Sequence, residues 1–203
     1  MDNHGRILCL WAAAGVIICI FQYSAPAECY CSFGRSIYKS FGDPNLKDIT
    51  LSEDIFVPIV GKVLDIDLAL NIEHTSICDL QIYLKSPAGT EVCINSYDVD
   101  TFVKNKENFY WTIFDAESPL GIDSGKPPFC GLFRPNGPGS LTAFYGQQSS
   151  GTWQVIVKDC IYADTGTFKG VRLDFHINPE PSTVLLFAFS ALIGISLGKH
   201  RPV

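Results

Sequence analysis

Hydrophobic and polar positions alternate through the middle of the chain and give way to continuous apolar runs near both ends. Over residues 64–72 every even-numbered position is apolar, with Asp65, Asp67 and Asn71 between, the pattern of a strand that buries one face. The same period recurs in Leu80, Ile82 and Leu84 against Gln81, Tyr83 and Lys85, in Trp153, Val155 and Val157, and in Val171, Leu173, Phe175 and Ile177. Turn-forming clusters separate these runs at 86–90, 134–139 and 164–166. Strands with polar outer faces and turns between them predict an all-β, antiparallel β-sandwich. The weaker pattern over 97–128 predicts long loops around one strand at 110–114.

The apolar runs have a different purpose. Residues 7–21 form an uncharged stretch behind His4 and Arg6, and Ala25-Pro26-Ala27 follows with small residues at both cleavage-determining positions. This predicts a secretory signal peptide over 1–27, cut after Ala27, then an N-terminal segment over 28–49. At the other end, Pro179-Glu180-Pro181 precedes an uncharged run over 182–198 and then Lys199, His200 and Arg201. As a helix that run would span about 25 Å, and snorkelling basic side chains could cover the rest of a ~30 Å hydrocarbon core. Kept cytoplasmic by the positive-inside rule, those residues leave the middle of the chain outside. The order of tripeptide, apolar helix and basic tail resembles the PEP-CTERM sorting signal of Gram-negative bacteria. That resemblance implies an exosortase-type processing enzyme, a membrane-anchored precursor and a final place in the cell envelope or on its extracellular surface.

Export changes the reading of the cysteines. Cys9 and Cys19 would leave with the signal peptide, and Cys29, Cys31, Cys78, Cys93, Cys130 and Cys160 remain, an even set that predicts disulfides in an oxidising compartment. A Cys130 to Cys160 bridge would close a loop of about 30 residues; a Cys78 to Cys93 bridge is less natural, because a hairpin turning at 87–89 sets Cys93 opposite about Ile82 rather than Cys78. Zinc is the weaker alternative, since no C-x-x-C occurs and only His74 and His176 remain. With 15 basic against 21 acidic residues and a net charge of −6, the chain offers no cationic surplus for nucleic acid.

His74-Thr75, followed by Asp79-Leu80-Gln81-Ile82-Tyr83-Leu84-Lys85-Ser86-Pro87-Ala88-Gly89-Thr90, resembles the hallmark of the P domain (P/Homo B) of proprotein convertases and bacterial kexin-like proteases. Phe133-Arg134-Pro135, Leu141, Phe144, Gly146, Gly151-Thr152-Trp153-Gln154-Val155-Ile156-Val157-Lys158-Asp159 and Asp164-Thr165-Gly166-Thr167-Phe168 continue the likeness, which covers about 50–177. Gly170-Val171 departs from it, because the family carries an aromatic before its last strand. The resemblance implies a jelly-roll-like sandwich over 50–178 that serves a subtilisin-like serine protease without catalysing anything itself. About 150 residues between the two processing sites are too few for a protease domain beside the sandwich, and no G-x-S-x-G elbow occurs. His74, at a strand end, suits a turn or hydrogen-bonding role, and His176 alternates outward.

Two binding chemistries remain. Asp115 and Glu117, with Asp123 nearby, supply hard oxygens of the kind calcium takes, as do Asp159 and Asp164; surface acids and turn caps explain the same residues. Tyr110-Trp111 and Phe144-Tyr145 lie beside loops where rings could stack on extracellular polysaccharide, the alternative being an adhesion or matrix module. The expected arrangement nevertheless puts Trp111 and Phe144 in the core and leaves Tyr110 and Tyr145 partly exposed.

Overall fold

The computed structural model describes residues 9–11, 17–19, 28–42, 49–97, 107–161 and 165–179. The cleavage site after Ala27, Asp164, Glu180, Pro181 and the apolar run 182–198 lie outside the described residues, whereas Pro179 closes the last strand opposite Gly61. Strands β1 (Cys9–Trp11) and β2 (Ile17–Cys19) pair only with each other, antiparallel. Among the described residues nine further strands follow: β3 (Cys29–Phe41), β4 (Ile49–Val57), β5 (Gly61–His74), β6 (Leu80–Lys85), β7 (Glu91–Asn95), β8 (Phe109–Phe114), β9 (Phe129–Phe133), β10 (Gly151–Asp159) and β11 (Gly166–Pro179). They form a four-stranded sheet ordered β4-β10-β6-β7 and a five-stranded sheet ordered β3-β11-β5-β8-β9. Among the described residues no helix is long and apolar enough to cross a membrane.

The predicted alternation is what fills the space between the sheets. Leu80, Ile82 and Leu84 of β6, Trp153, Val155 and Val157 of β10, and Val171, Leu173, Phe175 and Ile177 of β11 all point inward and are buried. Trp153 sits among aromatic edges, 5.1 Å from the Phe144 ring and 5.2 Å from that of Phe175, and its indole N–H donates to the Ser149 carbonyl at 2.8 Å. An indole can be buried at that depth because its one donor is satisfied.

Three expectations are corrected. β8 and β9 run parallel, so the sandwich is not wholly antiparallel; the loop from Asp115 to Pro128 carries the chain back far enough to re-enter in the same direction. In β5 the even-numbered phase holds only from Ile66: a bulge between the pairs Asp65–His176 and Val63–Ile177 resets it, and Val63, not Leu64, is buried. The hairpin register is as expected, with Cys93 opposite Tyr83, next to Ile82 and not opposite Cys78. The sandwich also reaches back past the expected boundary at 50, since β3 pairs along β11 from Cys29 to Phe41. That edge strand is tied to the other sheet by Arg35 and Lys39, whose ammonium and guanidinium groups both meet the buried Glu53 of β4.

Candidate functional site

The hallmark residues build a joint between the sheets. β5 ends at His74, whose imidazole is fully buried; its Nε2 lies 3.4 Å from Asp159 Oδ2 at the end of β10, and Nδ1 lies 2.7 Å from the Ser76 carbonyl. Phe41, closing β3, stacks on the ring at 5.5 Å between centroids. Asn108 clasps the backbone of His74, accepting from its N–H at 2.9 Å and donating to its carbonyl at 3.2 Å. Both ring nitrogens are thus engaged by the protein, and the histidine holds three strand ends together.

The Ser86 to Thr90 turn ties together a second set of segments. Ser86 N–H donates to the Thr90 carbonyl at 2.8 Å, and the Gln147 side chain bridges Ser86 Oγ and Thr90 Oγ1, each at 2.9 Å. Pro87 then lies so close to Gly151 that a Cβ there would come within 2.8 Å of it, at a backbone φ of +123°. Glycine at the start of β10 therefore meets a steric and a conformational requirement together.

The acidic residues separate into two places. Asp115 and Glu117 adjoin, with the Glu117 N–H donating to Asp115 Oδ1 at 2.7 Å, but Asp123 accepts from Asn136 Nδ2 at 2.8 Å in another loop. Instead of Asp123, the first pair is joined by Asp65 and Asp67 of β5 and by Asp174 of β11, which is in register with Asp67. Burial first, and then Asp65, Asp115, Asp174 and Glu117, push Asp67 up to about 7. The Tyr145 hydroxyl lies 2.7 Å from Asp65 Oδ1 and 2.6 Å from Glu117 Oε1. The phenol has one proton, so it donates to one of those oxygens at a time and is shared between the two carboxyls. That contact with Tyr145 pulls Glu117 down, while burial, Asp115 and Asp65 outweigh it and leave Glu117 raised. Among the described residues no three His, Cys, Asp or Glu side chains are grouped so that they could hold a metal ion. Asp65, Asp67 and Asp174 were visible in the sequence as polar positions on two strands; the register that sets them side by side was not.

The six cysteines are spread over both sheets, with neighbours among them. Cys29 and Cys31 share one face of edge strand β3, and burial, then the neighbouring Cys29 thiol, raises Cys31 to about 11. Cys93 is buried on β7, donating to the Asn95 carbonyl at 3.4 Å, and burial also raises it to about 11. Cys130 is exposed on β9, at the edge of the five-stranded sheet, whereas Cys160 follows β10 in the other sheet. Cys160 donates its N–H to the Asp79 carbonyl at 2.9 Å, one residue from Cys78.

The aromatic residues divide differently from the expectation. Phe144 is buried and Tyr145 partly so, as expected, but Trp111 is 39% and Tyr110 58% exposed. A bulge between β5 and β8 puts both residues outside the regular pairing, and Trp111 has φ +50°, which turns its indole out of the core. His176 is not simply solvated: it stacks on Tyr30 at 4.2 Å, and its Nε2 lies 2.9 Å from Glu28.

Comparison with known proteins places these features. The family described as proprotein convertase P-domain matches residues 63–175, which contain the His74 joint, the Ser86 turn and Trp153. Among solved structures, the serine protease of Aeromonas sobria is similar at 14% identity and a TM-score of 0.46, over 75% of this chain and 27% of that one. The complex of the same serine protease with the chaperone ORF2 gives 14% identity and a TM-score of 0.47, over 78% and 28%. This chain therefore spans little more than a quarter of those solved chains. No curated protein matches it.

Proposed function

Because the chain belongs to the proprotein convertase P-domain family, we propose that it works as an exported, non-catalytic P domain, an accessory or binding module for a subtilisin/kexin-like serine endopeptidase. The observation that carries this reading is His74. The family's signature histidine is buried with both ring nitrogens engaged, by Asp159 and by Ser76, so it acts as a brace rather than as a base open to substrate. The signal peptide cut after Ala27 and the Pro179-Glu180-Pro181 signal with its apolar run put the domain in the envelope, through an exosortase-type enzyme. In that compartment the six remaining cysteines pair as disulfides.

Co-expression tests the reading directly. A subtilisin-like protease domain lacking its own P domain is produced in a periplasm with and without this chain. More soluble, active protease and co-purification are expected, with fluorophosphonate labelling confined to the protease. Labelling of this chain itself, or equal protease yield with and without it, would overturn the proposal.

A further inference from the structure

The outer face of the five-stranded sheet carries an arrangement that the accessory role does not use. Trp111 stands on β8, yet its indole reaches β11: a Cβ built on Gly170 would lie 3.0 Å from Trp111 Cη2 and 3.5 Å from Cζ2. β5 lies between those strands, so with strands ~4.8 Å apart the side chain crosses nearly 10 Å of sheet. A tryptophan covers that distance only when its indole lies along the sheet, one face down on β5 and the other toward solvent. Gly170 is the seat for the benzo edge. Any side chain there would tip the ring, and φ +50° at Trp111 fixes where it starts.

The surroundings identify the chemistry that fits. Gly170 pairs with Ser36 on one side and Asn71 on the other, so a hydroxyl and an amide flank the indole. Tyr110 adjoins it, and Tyr38, 71% exposed with φ +56°, stands in the bulge of β3 opposite Lys169. The charges beside the ring are paired among themselves, Lys169 with Glu73 and Arg172 with Asp174. An anionic or cationic ligand would have to break these pairs, whereas a neutral one need not.

We infer that this face is a binding platform for a neutral polysaccharide, with a sugar ring stacked by its C–H face on the Trp111 indole and its hydroxyls bonded to Asn71 and Ser36. A protein partner would want a broad dry surface, and here the paired charges of β11 and β5 border the ring on one side. The inference stands apart from the accessory role, so either reading can fail without the other.

The test is affinity electrophoresis of the full chain in gels containing dextran, galactomannan or hydroxyethylcellulose, followed by tryptophan fluorescence in a Trp11→Phe background. Trp153 is fully buried, so acrylamide quenching in that background reports on Trp111. At least one neutral polymer should retard the chain and protect Trp111 from quenching. Trp111→Ala should weaken binding about tenfold or more, the size expected for one lost stacking contact. Gly170→Ala should weaken it while leaving the melting temperature near that of the parent, which separates a tipped ring from a lost fold. No retardation by any neutral polymer, equal retardation of Trp111→Ala, or binding that collapses with salt would overturn the inference. So would a Trp111→Ala chain that has lost a protease partner and kept its glycans.

Discussion

A single strand, β5, supplies two polar places that the fold treats in opposite ways. At its C-terminal end His74 meets Asp159, and each buried polar group has a partner of suitable chemistry. Nearer its start Asp65 and Asp67 meet Asp115, Glu117 and Asp174, acids facing acids, and one Asp67 oxygen is buried with no hydrogen-bond partner. Arg172 forks onto Asp174 at 2.8 Å and so offsets one of the five acids, leaving Asp67 raised. The first place is a finished joint whose removal costs stability; the second holds its charge only against resistance. A family signature and a cluster of acids can look alike as candidate sites in a sequence, and what separates them is whether the partner arriving across the sheet completes the group or opposes it.

Breaking the joint should have the largest effect. His74→Ala strips Asp159 of its partner in a fully buried setting and removes the stacking on Phe41. Loss of one member of a buried pair costs about 3–5 kcal/mol, and urea unfolding of the purified chain measures it. His74→Ala combined with Asp159→Leu should recover part of that loss, because no charge is then left buried. If His74→Ala cost under about 1 kcal/mol, the joint would not be what closes the sandwich at this end.

Relieving the acidic place should act in the opposite direction and with a pH signature. Asp67 is raised to about 7 in the folded chain against an ordinary value of 3.8. The fold therefore favours its protonated form: that stability is present below about pH 4 and is lost as pH rises toward 7. Asp67→Asn mimics the protonated form, so it should stabilise above pH 7 and change little at pH 4. For a half-buried group screened by solvent the gain is about 1–2 kcal/mol, or a few degrees in melting temperature. Melting curves of both chains from pH 4 to 8 decide it; parallel curves across that range would return Asp67 to an ordinary surface acid.

How much of this was legible in the sequence depends on the range of the interaction. Strands β6, β10 and β11 could be read because each buries one face, and burial is written into alternate residues. The start of β5 could not, because a bulge changes the phase without changing the composition. β3 escaped notice for a related reason: an edge strand buries few residues, and Arg35 and Lys39 occupy positions that a core strand would give to apolar side chains. Asp115 and Glu117 were correctly singled out as neighbours, while their other companions arrive from β5 and β11, and Asp123 went elsewhere. Trp111 was placed in the core because large aromatics usually are. Its exposure follows from a bulge and from a glycine almost sixty residues later, neither of which a local pattern carries.

The smallest effect concerns which acid opposes Asp67 most. After burial, Asp65 is the leading cause of its raised pKa, and Glu117 comes last, behind Asp115 and Asp174. Asp65→Asn and Glu117→Gln each remove one negative charge and keep an oxygen for the Tyr145 hydroxyl. Both should lower the Asp67 titration midpoint, Asp65→Asn by the larger amount, with Glu117→Gln moving it by only a fraction of a pH unit. Carbon-13 NMR of the Asp67 carboxyl between pH 4 and 9 reads the midpoint without relying on stability. An Asp67 midpoint that moved more in Glu117→Gln than in Asp65→Asn would mean that the loop after β8, rather than β5 itself, sets the charge at this end of the sandwich. If neither substitution moved it, burial alone would hold Asp67 up, and the contrast with the His74 joint would be one of solvation rather than of opposing charge.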